Sequence, residues 1–357
     1  MTMKSLVFFL GLFLAGSAFA QSEARFEVSG VGMDEVQVLR FDFARQDYVH
    51  HSTFRLEEDK PILFHDDFRE PTLYQFRFGP EQQVEVAVEG PGLFKLCKKE
   101  FFELEADAGS IADFGRAIHQ LSDHYFSELK VEYEAAVEKQ DMEKLALLEK
   151  EKDELLLQFI HDMEAAVRQM GPSAEAYQAL SFFDSHKNFG FLAEMAGAFE
   201  KQYPQAGMTK ALAHRVKRAA LVQQGALAPD FTTRDIFSEA VALSDYRGTY
   251  VLVDFWASWC LPCLAERPKL VEVYESRRPQ GFHILSISLD EEADKWEAAI
   301  AKGQMPWRQV RDADGAIAGL YLVSSLPANF LLGPEGKILA KNVTAEQLEA
   351  LLGELLN

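Results

Sequence analysis

The sequence predicts a multidomain protein whose three parts differ in fold class. Short segments of alternating apolar and polar residues, separated by Gly, Pro and Asp, fill 21–105 and are typical of an antiparallel β-sandwich. Apolar residues then recur at helical spacing through 106–225, which predicts a helical region. From 226 to 357, strand-like apolar runs alternate with helical text, the pattern of an α/β domain with a buried central sheet.

The amino terminus predicts a cleavable export signal over residues 1–20. One basic residue precedes a short apolar run, which ends in the small-residue pattern Ala18-Phe19-Ala20. The run is too short to span a bilayer, and Ser17 stands where a lipoprotein signal would carry its cysteine. We therefore expect a periplasmic or otherwise exported protein without a lipid anchor or a transmembrane helix; a buried amino-terminal helix is the alternative.

Composition narrows the classes of partner. The formal net charge is −20, with 48% hydrophobic and 26% charged residues. Such a charge argues against nucleic acid or an anionic membrane as the main partner, and we interpret it as a determinant of solubility. Three cysteines are too few for a disulfide scaffold.

The β-rich part contains no catalytic constellation. Its strand-like segments are ARFEVSGV, EVQVLRFDFA, TLYQFRFG and QVEVAVEG. Cys97 lies in another strand-like segment, and we expect a buried inert thiol there, with a regulatory or intermolecular link as the alternative.

The helical part has recognisable start and stop signals. Ser110 and Asp113 stand in capping-box positions before an apolar helical face. A later helical stretch is broken at Gly171-Pro172, and Ser173 can cap the helix that follows.

Two of the cysteines, Cys260 and Cys263, lie where an apolar strand meets a helix. The predicted strands of this part are YVLVDFWAS, FHILSISL, RQVRD, ANFLLG and KILAKN. The predicted helices are LPCLAERPKLVEVYES, EEADKWEAAIAKG and TAEQLEALLGELL. A bridge across two residues closes almost no loop, so the pair is poorly placed for scaffolding. Zinc sites use the same spacing but need a second ligand pair, which Cys97 alone cannot supply.

Three ordered motifs carry a resemblance to a known family. VDFWASWCLPC resembles the active-site segment of the thioredoxin superfamily, with the TlpA/ResA-type envelope thiol–disulfide oxidoreductases most similar over 226–357. Glu266 and Pro268 match the E-x-P after the cysteines, and LPANFLLGPEGKI resembles the cis-proline strand and its hairpin. APDF (Ala228 to Phe231) is similar to the opening strand. The resemblance implies a thioredoxin-like fold, a central mixed sheet with flanking helices.

The position of Cys260 at a helix amino terminus favours its thiolate, so we expect it to be the exposed nucleophile. Cys263, one turn along, is placed to resolve a mixed disulfide. Pro262 suits the first helical turn, where its missing N–H costs nothing. Trp259 and Trp256 are interpreted as an apolar wall for substrate, with plain core packing as the alternative.

Asp254 interrupts the apolar run VLVDFW, where a carboxylate is costly unless it is paired or functional. It matches the buried acid of thioredoxin, and our hypothesis is that it deprotonates Cys263 through a water; a hydrogen-bonded structural acid is the alternative.

By resemblance, Pro327 is the cis-proline opposite the cysteines. Leu326 before it would then offer backbone hydrogen bonds to an extended substrate.

The leading hypothesis is thus an envelope dithiol–disulfide oxidoreductase without cofactor or metal. Its partners would be disulfide-bearing proteins and, by resemblance, a membrane electron donor that keeps it reducing. The β-rich or helical parts would position substrate or mediate self-association, and no nucleic acid is expected. The alternative is an envelope binding or assembly protein whose function lies in 21–225. A peroxidase is disfavoured because the P-x-x-x-T-x-x-C arrangement is absent.

Overall fold

The computed structural model describes residues 23–30, 35–55, 61–78, 83–90, 92–98, 102–106, 111–139 and 141–356. The predicted leader and Ser110 lie outside them. The described chain divides into two compact units. The first comprises the residues up to Phe183 together with Gly190–Ala213, and the second comprises Asp184–Phe189 and the chain from His214 onward.

The first unit begins with eight strands. They are β1 (Glu23–Gly30), β2 (Val36–Asp42), β3 (Asp47–Phe54), β4 (Ile62–Asp67), β5 (Thr72–Arg77), β6 (Gln83–Val88), β7 (Gly92–Lys98) and β8 (Phe102–Ala106). They form two four-stranded sheets, β4-β1-β7-β8 and β3-β2-β5-β6. The predicted sandwich is confirmed.

One strand pair departs from the predicted antiparallel pattern. β1 and β7 run parallel, with Phe26 opposite Phe94, whereas the other pairs described in the two sheets are antiparallel. Parallel pairing needs a long crossover, and the five strands between β1 and β7 supply it. Alternation along each strand does not reveal this, because it is the same for both directions.

Phe26 lies at the centre of the sandwich core. Its side chain is fully buried, and its ring packs within 5.6 Å, between centroids, of four other aromatic rings. Those rings belong to Phe64, Tyr74, Phe76 and Phe94. The core thus joins the inner faces of both sheets. The third cysteine, Cys97, lies on β7, and its side chain is outside the described part.

Helices follow the sandwich. They are α1 (Ile111–Glu138), α2 (Met142–Met170), α3 (Ala174–Ala179), α4 (Phe189–Gln202) and α5 (Gly207–Ala220). Phe126 of α1 packs on Phe159 of α2, with ring centroids 5.4 Å apart. Gly171 ends α2 with a φ of 63°, and the Ser173 hydroxyl accepts the Ala176 N–H at 2.9 Å, as the sequence predicts.

The second unit holds the α/β domain. Its strands are β9 (Thr232–Arg234), β10 (Ala240–Ala242), β11 (Tyr250–Trp256), β12 (Phe282–Ser288), β13 (Arg308–Arg311), β14 (Ala328–Leu332) and β15 (Ile338–Lys341). Its further helices are α6 (Leu261–Arg277), α7 (Ala293–Gly303), α8 (Ala316–Leu320) and α9 (Ala345–Leu355). All the strands and helices predicted after position 249 are confirmed; β9, β10 and α8 were not predicted.

A five-stranded mixed sheet, β13-β12-β11-β14-β15, forms the centre of this unit. β11, β12 and β13 are parallel, and β14 and β15 are antiparallel to their neighbours. The central strand β11 is buried on both faces. Val253 and Phe255 enter one apolar cluster, and Leu252 and Trp256 enter the cluster on the other side, which also contains α6 residues.

The opening segment of the unit differs from expectation. Ala228–Phe231 form no strand; the strand begins one residue later, at Thr232. Pro229 has no N–H for a ladder, and the Asp230 carboxylate accepts hydrogen bonds from the N–H groups of Phe231 and Ser244 instead. The unit also includes residues before 226, since Val222 is fully buried in its core.

Replacing Phe26 by alanine is expected to lower the free energy of unfolding of the first unit by about 3 to 5 kcal/mol, because it leaves a cavity among four rings. Leu63→Ala on β4, whose side chain is 59% exposed, is the matched control and should change it by less than about 0.5 kcal/mol. Amide hydrogen exchange of β1 and β5 measures both. Equal protection in the two variants would contradict this account of the core.

Candidate active site

The two cysteines lie at the start of α6, immediately after the turn that follows β11. Cys260 caps the helix, and its sulfur accepts the backbone N–H of Cys263 at 3.2 Å. The two side chains form a disulfide. Pro262 occupies the first turn, as predicted. A sulfur here faces unpaired N–H groups and the positive end of the helix dipole, which stabilise a thiolate when the disulfide is opened.

Burial of the site differs in part from expectation. Cys260 is 4% exposed in the disulfide, less than Cys263 at 9%, so the predicted exposed sulfur is covered in this state. Trp259 is exposed beside it, whereas Trp256 is buried in the core, as the alternative interpretation had it. The reason is strand alternation: Trp256 ends β11 on its α6 face, and Trp259 follows in the turn.

The turn between β11 and the cysteines is held by Asp290, which sequence reasoning missed. The N–H and hydroxyl of Ser258 donate to its carboxylate at 2.9 and 2.6 Å, and the Ser288 hydroxyl donates at 2.7 Å. The available signal was the acid that directly follows the predicted strand FHILSISL. Its hydrogen bonds fix the approach of the chain to Cys260.

A cavity of about 390 Å³, here called the site cavity, borders the second cysteine. Cys263, Pro262, Asp254, Pro327, Glu266 and Arg267 are among the residues that line it. The Leu326–Pro327 peptide bond is cis, as predicted. The structure thus brings together four of the predicted site residues around one space, although they come from β11, α6 and the segment before β14.

Asp254 faces this cavity from the middle of β11, with Ser286 of β12 and Asn329 of β14 as its neighbours across the sheet. The Ser286 hydroxyl donates to Asp254 Oδ2 at 2.8 Å. Burial raises the pKa of Asp254 from 3.8 to about 6, against the opposing effects of that hydrogen bond and of the positive charge of Arg267. The carboxyl can therefore change its protonation state near neutral pH.

A second missed residue is Arg267, a buried cation in the helix α6. Its guanidinium lies 4.5 Å from the centroid of a Trp256 ring, and its Nη1 donates to the Ala299 carbonyl at 3.3 Å. Gly303 leaves room for it, because a Cβ there would lie 2.6 Å from the arginine side chain. Arginine is among the residues least expected in a core, and only the fold shows its surroundings.

The motif residue Glu266 joins the site to the last helix. Its Oε2 accepts the backbone N–H of Ala345, the first residue of α9, at 3.0 Å. A carboxylate at a helix amino terminus satisfies an N–H that has no partner within the helix. This contact ties α6 to α9 beside the cavity.

The described residues form neither a metal-binding cluster nor a membrane span. No group of three or more His, Cys, Asp or Glu side chains in the described part is arranged to hold a metal ion. Among the helices of the described ranges, none combines the length and apolar character that a membrane span requires.

Comparison with known proteins identifies relatives of this part of the chain. Residues 224–341 match the AhpC/TSA family. The chain is 31% identical over 136 residues to the thiol-disulfide oxidoreductase ResA of Bacillus subtilis (strain 168), covering 38% of this chain and 75% of that protein. It is 33% identical over 131 residues to ResA of Geobacillus kaustophilus (strain HTA426), covering 36% and 75%.

A solved structure is also similar. It is the thioredoxin domain of a thiol-disulfide oxidoreductase from Bacteroides vulgatus, with 33% sequence identity and a TM-score of 0.36, covering 38% of this chain and 98% of that one. The family match covers the α/β domain, and the similar proteins described here align with 36 to 38% of the chain.

Asp254→Asn is expected to stabilise the second unit at neutral pH by on the order of 3 kcal/mol, the equivalent of a pKa raised from 3.8 to about 6. The folded state holds this proton more tightly than the unfolded state does. Ionisation therefore costs the wild-type protein stability as the pH rises from about 4 to about 6, and the variant avoids that cost. All four tryptophans lie in this unit, so their fluorescence during unfolding measures the effect.

The gain should vanish below pH 4, where the wild-type carboxyl is also neutral. An equal difference at both pH values would mean that the substitution acts through packing or hydrogen bonding, and not through the charge.

Proposed function

This chain belongs to the thioredoxin-like thiol–disulfide oxidoreductases of the ResA type, and we propose that it exchanges its Cys260–Cys263 pair with disulfides of exported proteins, in the reducing direction. The observation that carries the proposal is the disulfide itself. It caps a helix amino terminus, and one of its cysteines borders a cavity shared with a half-buried carboxyl and a cis-proline.

In the first step, the reduced Cys260 attacks as a thiolate. The N–H of Cys263 and the amino terminus of α6 favour the negative charge on its sulfur. Attack on one sulfur of a substrate disulfide forms a mixed disulfide with Cys260. The substrate S–S bond breaks, and its other sulfur leaves as a thiolate with the electron pair.

In the second step, Cys263 resolves the mixed disulfide. Asp254 accepts the Cys263 proton through a water in the site cavity, a role supported by a pKa of about 6, close to neutral pH. The Cys263 thiolate then attacks the Cys260 sulfur, and the remaining substrate sulfur leaves as a thiolate. Two electrons have passed to the substrate, and the enzyme disulfide has formed.

The apolar residues around Cys260 and Cys263 would contact the substrate. Trp259 is 65% exposed and supplies a flat apolar surface, with Pro262 three positions further along the chain. Leu326 would pair its backbone with an extended substrate segment, and Pro327 would border that segment beside Cys263. Repeated turnover requires an electron donor that reduces the enzyme disulfide, and we assign this to a dithiol partner in the membrane.

Export follows from the leader predicted at 1–20. A precursor expressed in a bacterium with its intact leader should yield a mature chain that begins at Gln21, as measured by mass spectrometry of the periplasmic fraction. A chain that keeps residues 1–20 in the cytoplasm would overturn the localisation.

The chain before the α/β domain consists of the β-rich and helical parts. The β-rich and helical parts would position substrate or mediate self-association. The alternative function is that of an envelope binding or assembly protein. The size of the β-rich and helical parts supports this alternative.

The full-length mature chain is expected to accelerate the reduction of insulin by dithiothreitol. Cys260→Ser should abolish the acceleration, because it removes the attacking sulfur. Cys263→Ser should lower turnover and accumulate mixed disulfides, because the resolving sulfur is missing. Insulin turbidity and non-reducing gels measure the two effects.

Replacement of Ser276, a serine near the end of the same helix α6, by alanine is the control and should leave the rate unchanged. Equal rates for the wild-type chain and Cys260→Ser would favour the binding protein instead.

A further inference from the structure

Two buried side chains that the exchange chemistry does not use directly form a chain of hydrogen bonds that ends at Asp254. Trp307 Nε1 donates to Ser286 Oγ at 2.8 Å, and Ser286 Oγ donates to Asp254 Oδ2 at 2.8 Å. Ser286 is fully buried, and Trp307 is 6% exposed. The three groups come from distant parts of the chain: β11, β12 and the segment between α7 and β13.

The order of donation along this chain follows from the chemistry of the groups. An indole N–H can only donate, so Ser286 Oγ must be its acceptor. A hydroxyl carries a single hydrogen, and with Trp307 occupying an acceptor position that hydrogen is directed to Asp254. The tryptophan thereby fixes the serine as a donor to the carboxylate.

This arrangement leaves the two oxygens of Asp254 in different environments. Oδ2 accepts the serine hydrogen, whereas Oδ1 has no hydrogen-bond partner among the described residues. Asp254 lines the same cavity as Cys263, so Oδ1 is the oxygen free to take a proton on that side.

The other ionisable groups at the site cavity come from one element. Among the described residues that line it, Glu266 and Arg267 of α6 carry charge, and Cys263 of the same helix is a thiol when reduced. The lining residues from β14, α9, the segment before β13 and the segment between β15 and α9 are uncharged. Substitutions of Ser286 or Trp307 therefore leave every charged group of the described cavity lining in place.

We propose that Ser286 and Trp307 are positioning residues of the resolving step, which hold Asp254 as a carboxylate with Oδ1 free to accept the proton of Cys263. This inference rests on the proposed function. A donor to a carboxylate favours its charged form, so loss of the donor makes the carboxylate hold its proton to higher pH. The rate of resolution falls at low pH as Asp254 is protonated, and the midpoint of that fall must then lie at a higher pH.

The test uses the full-length mature chain in reduced form and dithiobis(nitrobenzoate), a symmetric aromatic disulfide that releases a coloured thiolate. Attack by Cys260 releases the first thiolate, and resolution by Cys263 releases the second. The rate of the second release, followed against pH in stopped flow, isolates the step that needs Asp254. Carbon-13 NMR of the Asp254 carboxyl gives its titration independently of turnover.

Ser286→Ala should move the midpoint of both measurements upward by about one pH unit, the size expected for a lost hydrogen bond to a charged group. Trp307→Phe keeps a buried aromatic ring but removes the N–H, so it should move the midpoint in the same direction by a smaller amount. Rates well above the midpoint should match those of the wild-type chain.

Trp296→Phe is the matched control. Trp296 is also buried in this unit, and its Nε1 has no acceptor among the described residues, so the midpoint should stay in place. An unshifted Ser286→Ala profile would overturn the proposal while leaving the oxidoreductase intact. If Trp307→Phe behaved like Trp296→Phe, Trp307 would have no such role. Failure of the wild-type chain to release either thiolate would instead refute the proposed function.

Discussion

The contact on which the site depends is the hydrogen bond between the backbone N–H of Cys263 and the sulfur of Cys260. It exists because β11 ends at Trp256 and the chain turns within a few residues into α6. At that turn, the first N–H groups of the helix have no partner in the helix and point at whatever side chain caps it. A cysteine in this position gains a stabilised thiolate. The central strand of the sheet therefore decides where the reactive sulfur lies.

The second constraint is the cost of a carboxyl on the buried central strand. Asp254 lies between Leu252 and Trp256 on the face of β11 that packs against α6, where an apolar side chain would be more stable. Three features reduce the cost: the Ser286 hydroxyl, the positive charge of Arg267 and an opening to the site cavity. These features do not remove the cost completely, and the part that remains is seen in the raised pKa of Asp254. In the proposed mechanism, this loss of stability supplies a carboxyl that can accept a proton.

Much of the α/β domain could be predicted because its signals are local. The apolar run of β11, the helical period of α6 and the cysteine spacing each lie within a short stretch of sequence. The proline of the cis bond was identified by resemblance to a family motif. Asp290, Arg267, Ser286 and Trp307 could not be predicted in the same way. The hydrogen bonds of Ser258 to Asp290 and of Ser286 to Asp254 each cross 32 positions, and that of Trp307 to Ser286 crosses 21. Likewise, the alternation of β1 and β7 predicted strands but not their parallel pairing.

The sequence by itself determined which cysteines form the pair, which helix presents them and which acid is out of place in its strand. Each of these follows from the chemistry of neighbouring residues and from the periods of helix and strand. Only the tertiary structure decided which oxygen of Asp254 accepts a hydrogen bond and which serine donates it. It also decided that Trp256 lies in the core and Trp259 at the surface, and which residues surround Arg267. Those outcomes depend on the packing of separate elements against one another, and packing distances are not encoded in any single stretch of sequence.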